Sequence, residues 1–149
     1  MISQQLNADF KSALLAGDKL RVSVVRSLKS AILYAELDKG KRQEGLADSD
    51  ILMLFAKEAK KRQESADLYI QGGDKARADK ELAEKVIIEI YLPTQLSETE
   101  LVSIVDEVIK SEAATGMQAM GKVISAVKAK AGPAADGSLI AKLVKERLN

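Results

Sequence analysis

Apolar residues recur at spacings of three and four along almost the whole chain, as they do on one face of an amphipathic helix. No stretch of useful length alternates apolar and polar residues in the manner of a strand. Glycine and proline divide the helical pattern into segments, at Gly17, Gly40, Gly72 with Gly73, Pro93, and Gly132 with Pro133. We therefore predict an all-α protein without a sheet.

Seven helices are predicted from these segments. Four span residues 2–16, 19–38, 48 to about 71, and 74 to near Pro93, with Asp18, Asp48 and Asp74 as N-caps. The fifth begins at a capping box, in which Ser97 and Glu100 each bond the other's backbone amide. The sixth, 116–131, is predicted to be capped by Thr115, and the seventh by Asp136.

The proline after the fourth helix predicts a boundary in the chain. We expect an N-terminal four-helix domain over 1–92, a linker over 93–96, and a small three-helix tail domain over 97–149. The tail is close to the smallest size at which a domain keeps a core of its own. It is therefore expected to lean on the N-terminal bundle or to move against it.

The phase of each helix predicts which side chains face inward. These positions include Phe10 and Leu14 in the first helix, Ile70 in the third, and Val86 and Ile90 in the fourth.

A glycine inside the predicted sixth helix needs a packing reason, because it costs about 1 kcal/mol relative to alanine. The run from Gly116 through Gly121 to Lys122 has the spacing of a phosphate-binding loop, but Val123 stands where a magnesium-binding hydroxyl belongs. We reject that loop and predict that Gly121 allows another helix to approach closely.

The chain contains no cysteine and no histidine. Disulfides, thiolate metal sites and cysteine nucleophiles are thereby excluded, and the commonest general base and transition-metal ligand are missing. No serine–lysine or nucleophile-elbow motif compensates for them. Pairs such as Glu81 with Glu84, or Asp48 with Asp50, could bind a hard cation, but carboxylates near helix starts are ordinarily caps. We predict no catalytic residue, no metal site and no cofactor.

Basic and acidic residues almost balance, at 23 and 22, but their distribution is uneven. Residues 19–42 and 122–149 are basic, and the region between them, 48–92, is acidic. Solvated helix faces are the ordinary explanation, and anion-binding surfaces are the alternative. No apolar stretch has the length of a membrane span, and no signal-peptide pattern opens the chain, so a cytoplasmic protein is expected.

Two groups of charged residues leave alternatives open. Glu58 and Arg62, one turn apart, form either a structural ion pair or a phosphate grip. Lys60 and Lys61 face solvent by phase and are available to an anion. Arg21 falls on an apolar stripe, where it either finds a carboxylate partner or lies in an exposed first turn.

Several short motifs follow one another along the chain. They are RVSVVRSLK at 21–29, KKRQES at 60–65, Glu81 and Glu84, YLP at 91–93, QLS at 95–97, MGKV at 120–123, and ADG at 135–137. In this order and spacing they resemble YqeY-type proteins, and the resemblance covers essentially the whole chain. The chain departs from the usual family pattern at Asp74 and Ala134, where a basic residue is typical.

The resemblance implies a C-terminal region shared with the tail of the B subunit of the glutamine-dependent aspartyl/glutamyl-tRNA amidotransferase. In that enzyme the helical and tail domains hold tRNA, while catalysis belongs to a domain with no counterpart here. A label of carbon–nitrogen ligase with glutamine as amide donor would therefore come by inheritance, without an active site in this chain.

Three functions are consistent with this resemblance. The first is an accessory protein that binds RNA, with tRNA as the expected partner. The second is a docking module for an amidotransferase or an aminoacyl-tRNA synthetase, through an apolar edge at Met117 and Met120 that could equally be core. The third, an enzyme assisting amide transfer, lacks a recognisable site. The phosphate-binding residues expected under the first are Arg26, Lys29, Lys60, Lys61, Lys122, Lys128, Lys130, Lys142 and Lys145.

Overall fold

The computed structural model describes residues 1–149, and every regular element in it is helical. The predicted all-α class is therefore confirmed. Two short 3-10 turns, Met117–Ala119 and Gly132–Ala134, flank the sixth helix. None of the helices is both long enough and apolar enough to cross a membrane. The seven α-helices are α1 (Ile2–Ala16), α2 (Lys19–Asp38), α3 (Asp48–Gln71), α4 (Lys75–Glu89), α5 (Glu98–Ser111), α6 (Met120–Ala131) and α7 (Gly137–Leu148).

Four of the predicted N-caps form the expected hydrogen bonds. The side chains of Asp18, Asp74 and Asp136 each accept from a backbone amide in the first turn of α2, α4 and α7. At the start of α5 both halves of the capping box are present, at 3.1 Å and 2.8 Å between Ser97 and Glu100. Short polar side chains that satisfy the first free amides thus fix where these helices begin.

Two other cap predictions are wrong. The N-cap of α3 is Ala47, and Asp48 is the first helical residue, whose carboxylate instead accepts from the amide of Ile2 at 3.3 Å. The sixth helix starts at Met120, because a 3-10 turn that follows Gly116 takes up the residues assigned to its first turn. Gly116 has a φ of 75°, a conformation that glycine adopts without strain, so the chain turns there instead of being capped by Thr115.

The helices form two compact units, Met1–Leu92 and Pro93–Asn149. In the first unit, α3 packs along α4, and α1 packs along α2. Phe55 lies at its centre, fully buried, and meets Tyr91 edge to face with ring centroids 5.7 Å apart. The other large and fully buried residues of this core are Leu6, Val24, Val25, Leu28, Ile51 and Ile88.

The second unit is a three-helix cluster of α5, α6 and α7. Two residues of the predicted linker are tied to it. The amide of Leu96 donates to the carbonyl of Ala134 at 2.8 Å, and the side chain of Gln95 donates to the carbonyl of Pro133 at 3.4 Å. The core of this unit consists of Leu101, Val105, Val108, Val123, Val127, Ile140, Leu143, Val144 and Leu148.

Several predicted inward positions are exposed instead. Val86 in α4 and Ile90, the C-cap of that helix, are 60% and 66% exposed, whereas Ile88 is completely buried. The face of α4 that packs against its neighbours is therefore centred nearer to Ile88 than the apolar pattern of its sequence predicts. Leu14 and Ile70 are also exposed, because each lies in the last turn of its helix, beyond the last buried side chain.

The prediction for Gly121 is wrong. A Cβ atom built at this position would meet no atom within 4 Å, so no helix approaches it. The packing of α6 therefore offers no reason for a glycine there.

Candidate nucleic-acid interface

Arg62 of α3 joins three helices through all its donor nitrogens. It donates to Glu58 of the same helix at 2.7 Å, to Glu84 of α4 at 3.3 Å, and to the hydroxyl of Ser27 in α2 at 3.3 Å. Because every part of the guanidinium already has a partner, Arg62 holds the bundle together and does not grip a phosphate. The structural alternative for the Glu58–Arg62 pair is the one observed.

Lys61 is less available than its phase suggests. Its side chain faces solvent, as its phase predicts, but its ammonium group lies 2.9 Å from the second oxygen of Glu58. Burial by itself raises the pKa of Glu58, but the hydrogen bonds and charges of Lys61 and Arg62 outweigh it and hold that pKa below its usual value. Lys60, on the same helix, is exposed.

Arg21 has the carboxylate partner that one of its two alternatives requires. Its guanidinium lies 3.5 Å from Asp9 of α1, and the same carboxylate accepts a hydrogen bond from the hydroxyl of Tyr91. The cation is therefore neutralised within the first unit, and Arg21 contributes to holding α1 in place.

Arg26 and Lys29 lie together on α2, over the ring of Phe10 in α1. The Lys29 ammonium is 5.0 Å from the ring centroid, and the Arg26 guanidinium carbon is 5.6 Å from it. Neither side chain pairs with a carboxylate. Two of the predicted phosphate-binding residues are thus brought side by side, with an aromatic face beneath them.

These residues line a groove of about 500 Å³ between α1 and α2. At one end Arg42, from the loop after α2, donates to the buried carboxylate of Glu36 at 3.1 Å. The groove thus carries three cations and one acid, and that acid is already paired. Apolar and polar side chains share the remaining lining, which includes Leu6, Leu33, Ser3, Asn7 and Ser30.

Two of the predicted tail lysines are engaged in ion pairs. Lys122 lies 2.9 Å from Glu112, and this hydrogen bond, together with the negative charge of Glu112, raises the pKa of Lys122. Lys130 pairs with Glu107 of α5. These two cations connect the tail helices to one another, and an acidic side chain already offsets the charge of each.

Three other tail lysines, Lys128, Lys142 and Lys145, are exposed and make no ion pair. Lys142 and Lys145 lie one turn apart on α7. The end of the Lys128 side chain lies beside Gly137 in the first turn of α7, where a Cβ would come within 3.3 Å of it. The second unit thus presents these three cations, together with Lys110 of α5, without an acidic partner.

The nine predicted residues consequently fall into three sets, on α2, on α3 and on the tail helices. Sequence reasoning missed Phe10 and Arg42 as members of a site, since Phe10 was assigned to the core alone. The signal available in the sequence was the spacing of Arg26 and Lys29, which places both on one face of α2. No three carboxylates come together in a way that could hold a metal ion.

The two methionines of the tail differ. Met120 packs against the core of the second unit, as expected for a core residue, whereas Met117 in the preceding 3-10 turn is 41% exposed. Of these two methionines, only Met117 thus remains exposed as an apolar contact for a partner.

Fold and surface together define a small helical protein with cationic faces. Comparison with protein families matches residues 3–148 to the Yqey-like protein family, and the chain belongs to that family. The resemblance carried by the sequence motifs is thereby confirmed. A search of the curated proteins gave no match.

Proposed function

We propose that this Yqey-like protein binds RNA, tRNA first of all, as an accessory protein of tRNA-dependent amidation without a catalytic site of its own. The observation that carries the proposal is the set of exposed lysines on the tail helices, Lys128, Lys142 and Lys145, which no acidic side chain neutralises. Lysines that have no partner are available to phosphates without the loss of an existing ion pair.

The tail region is also the part whose motifs resemble the tail of the amidotransferase B subunit, and this resemblance supports tRNA as the partner. Contacts from lysines to phosphates position a nucleic acid without reading its sequence. The proposal thus predicts affinity for many tRNAs. It also places the protein in the cytoplasm, where tRNA is charged and amidated.

The decisive experiment measures the affinity of the purified protein for total tRNA at low and at moderate salt. Phosphate binding releases counterions, so affinity should fall steeply as salt rises. An absence of binding at low salt would refute the proposal. Addition of glutamine, ATP and mischarged tRNA to the protein alone should give no amidation, since the proposal assigns it no catalytic site.

The exposure of Met117 favours a second candidate function, a docking module for an amidotransferase or an aminoacyl-tRNA synthetase. Methionine adapts to varied apolar partners and is common at binding surfaces. Affinity capture from lysate with its RNA intact should then recover such an enzyme with the native chain but not with Met117→Glu. Equal recovery with both chains would exclude docking at this residue.

We also propose that the two units are separate domains. Because Gln95 and Leu96 bond to the tail unit, the matching fragments are 1–92 and 93–149. Each fragment should give a helical circular dichroism spectrum and a cooperative thermal transition. A tail fragment that stays unfolded would show that the tail requires the rest of the chain.

A further inference from the structure

The groove between α1 and α2 combines two cations, an aromatic ring and a concave lining, whereas nonspecific binding of phosphates requires only the cations. We propose that it binds one unpaired nucleotide of an RNA, with the base stacked on Phe10 and the phosphate held by Arg26 and Lys29. The inference rests on the proposed RNA binding. It adds a second RNA-binding site, separate in sequence from the tail lysines, and it predicts that this site prefers single-stranded segments.

The two cations have only the ring as a partner. Lys29 and Arg26 lie 5.0 Å and 5.6 Å from the centroid of Phe10, and neither meets a carboxylate. A cation over a phenyl ring at an exposed site is weakly held, whereas a charge-assisted hydrogen bond to phosphate is strong. An incoming phosphate can therefore draw both side chains off the ring, and the uncovered face then becomes available to a base.

The remaining lining suits a base that has been turned out of a stack. Leu33 provides apolar surface, while Ser3, Asn7 and Ser30 offer hydroxyl and amide groups to base edges. The volume of about 500 Å³ lies within the roughly 300–1,000 Å³ of small-molecule sites. Unpaired bases are recognised in this way, by stacking on an aromatic side chain and by hydrogen bonds to their edges.

The net positive charge of the groove favours an anionic ligand. Glu36 is the one acid in the lining, and Arg42 already neutralises it, so Arg26 and Lys29 are left in excess. An acidic peptide would satisfy the charge as well, but it would make no use of a flat aromatic face. Base stacking on an aromatic ring does use that face, and it tolerates any sequence.

The test compares a short fluorescein-labelled oligouridine with a blunt RNA duplex of similar charge, both titrated with the full chain at low salt. Phe10→Leu keeps an apolar side chain on the helix but removes the ring, and Phe10→Tyr keeps the ring. We expect Phe10→Leu to weaken binding of the oligouridine by about fivefold or more, the lower end of base–aromatic stacking, and to leave duplex binding unchanged. Phe10→Tyr should bind the oligouridine as the native chain does.

A second variant, Arg26→Gln with Lys29→Gln, should weaken oligouridine binding even though Phe10 is intact. If Phe10→Leu binds the oligouridine normally, or loses oligouridine and duplex equally, the stacking site is refuted while RNA binding stands. If the native chain binds neither RNA, both the groove and the proposed function fail. Groove binding of an acidic peptide in place of RNA would likewise overturn the inference.

Discussion

Arg62 donates to Glu58 across one turn of α3 at 2.7 Å, and both side chains are largely buried. The same guanidinium reaches Glu84 of α4 and the hydroxyl of Ser27 in α2. The first unit thus contains a polar junction at the meeting of three helices, next to a core that is otherwise apolar. A buried ion pair gains little over a well-packed apolar replacement, but the loss of one partner leaves a buried charge uncompensated.

Removal of the cation from this junction should therefore destabilise the protein strongly. Arg62→Met keeps much of the side-chain length but leaves Glu58 with Lys61 alone and Glu84 without a cation. We expect the free energy of unfolding, measured by urea titration at pH 7, to fall by about 3 kcal/mol. The matched control is Lys75→Met, because Lys75 forms an exposed pair with Asp79.

The control should change the free energy of unfolding by less than about 0.5 kcal/mol, as is usual for exposed ion pairs. Equal effects of the two substitutions would show that the junction at Arg62 is no more important than a surface pair.

The pH dependence of stability should report on Glu58. Its pKa in the folded protein lies below the usual value of 4.5, so the folded state favours the carboxylate more than the unfolded state does. This contribution to stability is fully present above the unfolded pKa and is lost as pH falls through the folded pKa. We expect the stability of the native chain to decline with acid more steeply than that of Glu58→Gln.

The measurement is urea unfolding of both proteins at pH values from about 3 to 6, a range set by the usual carboxylate pKa. Other acidic groups also titrate in this pH range. Their contribution to the free energy of unfolding is the same in both proteins, so it cancels when one protein is subtracted from the other. A difference that stays constant with pH would contradict the pKa assigned to Glu58.

The fold was predictable from sequence where local chemistry determines it. Glycine, proline and short polar caps mark helix ends, and their effects act within one turn, so Asp18, Asp74, Ser97 and Asp136 behave as predicted. The burial of particular residues depends on which neighbour covers a helix. For that reason the sequence pattern of α4 indicates Val86 as an inward residue, whereas the structure buries Ile88.

The candidate site was only partly predictable, for the same physical reason. Sequence indicates that Lys128 and Lys130 are both basic and exposed. It does not indicate that Glu107, on another helix, neutralises Lys130 and leaves Lys128 unpaired. Phe10 carries the apolar signal of a core residue, and its contact with Arg26 and Lys29 arises only when α1 and α2 pack together.

The hydrogen bond from the hydroxyl of Tyr91 to Asp9 ties the end of the first unit to α1. We expect Tyr91→Phe to lower the free energy of unfolding at pH 7 by about 1–2 kcal/mol, because it leaves a half-buried carboxylate with one partner fewer. Tyr34→Phe is the control, since Tyr34 is exposed and forms no hydrogen bond. It should change that free energy by less than about 0.5 kcal/mol.

The same tyrosine should resist ionisation. Burial, followed by the hydrogen bond and charge of Asp9, raises the pKa of the Tyr91 phenol. A raised pKa stabilises the folded state below the unfolded pKa, and this contribution is lost as pH rises through the folded value. The tyrosinate absorbance of the native chain should thus equal that of Tyr91→Phe up to about pH 11, one unit above the usual tyrosine pKa. A larger signal from the folded native chain would contradict this.

The tail lysines give the sharpest test of the proposed RNA binding. Lys142→Gln with Lys145→Gln removes two unpaired cations from one face of α7 and should weaken tRNA binding at low salt. If both contact phosphates, the slope of log affinity against log salt should become shallower by about 1.4–1.8.

The matched control is Lys57→Gln with Lys80→Gln. Both are exposed lysines of the first unit without an acidic partner, and the change in net charge is the same. The control should leave the slope unchanged. If both pairs lower affinity equally, binding follows net charge alone, and the tail helices are not a specific RNA-binding surface.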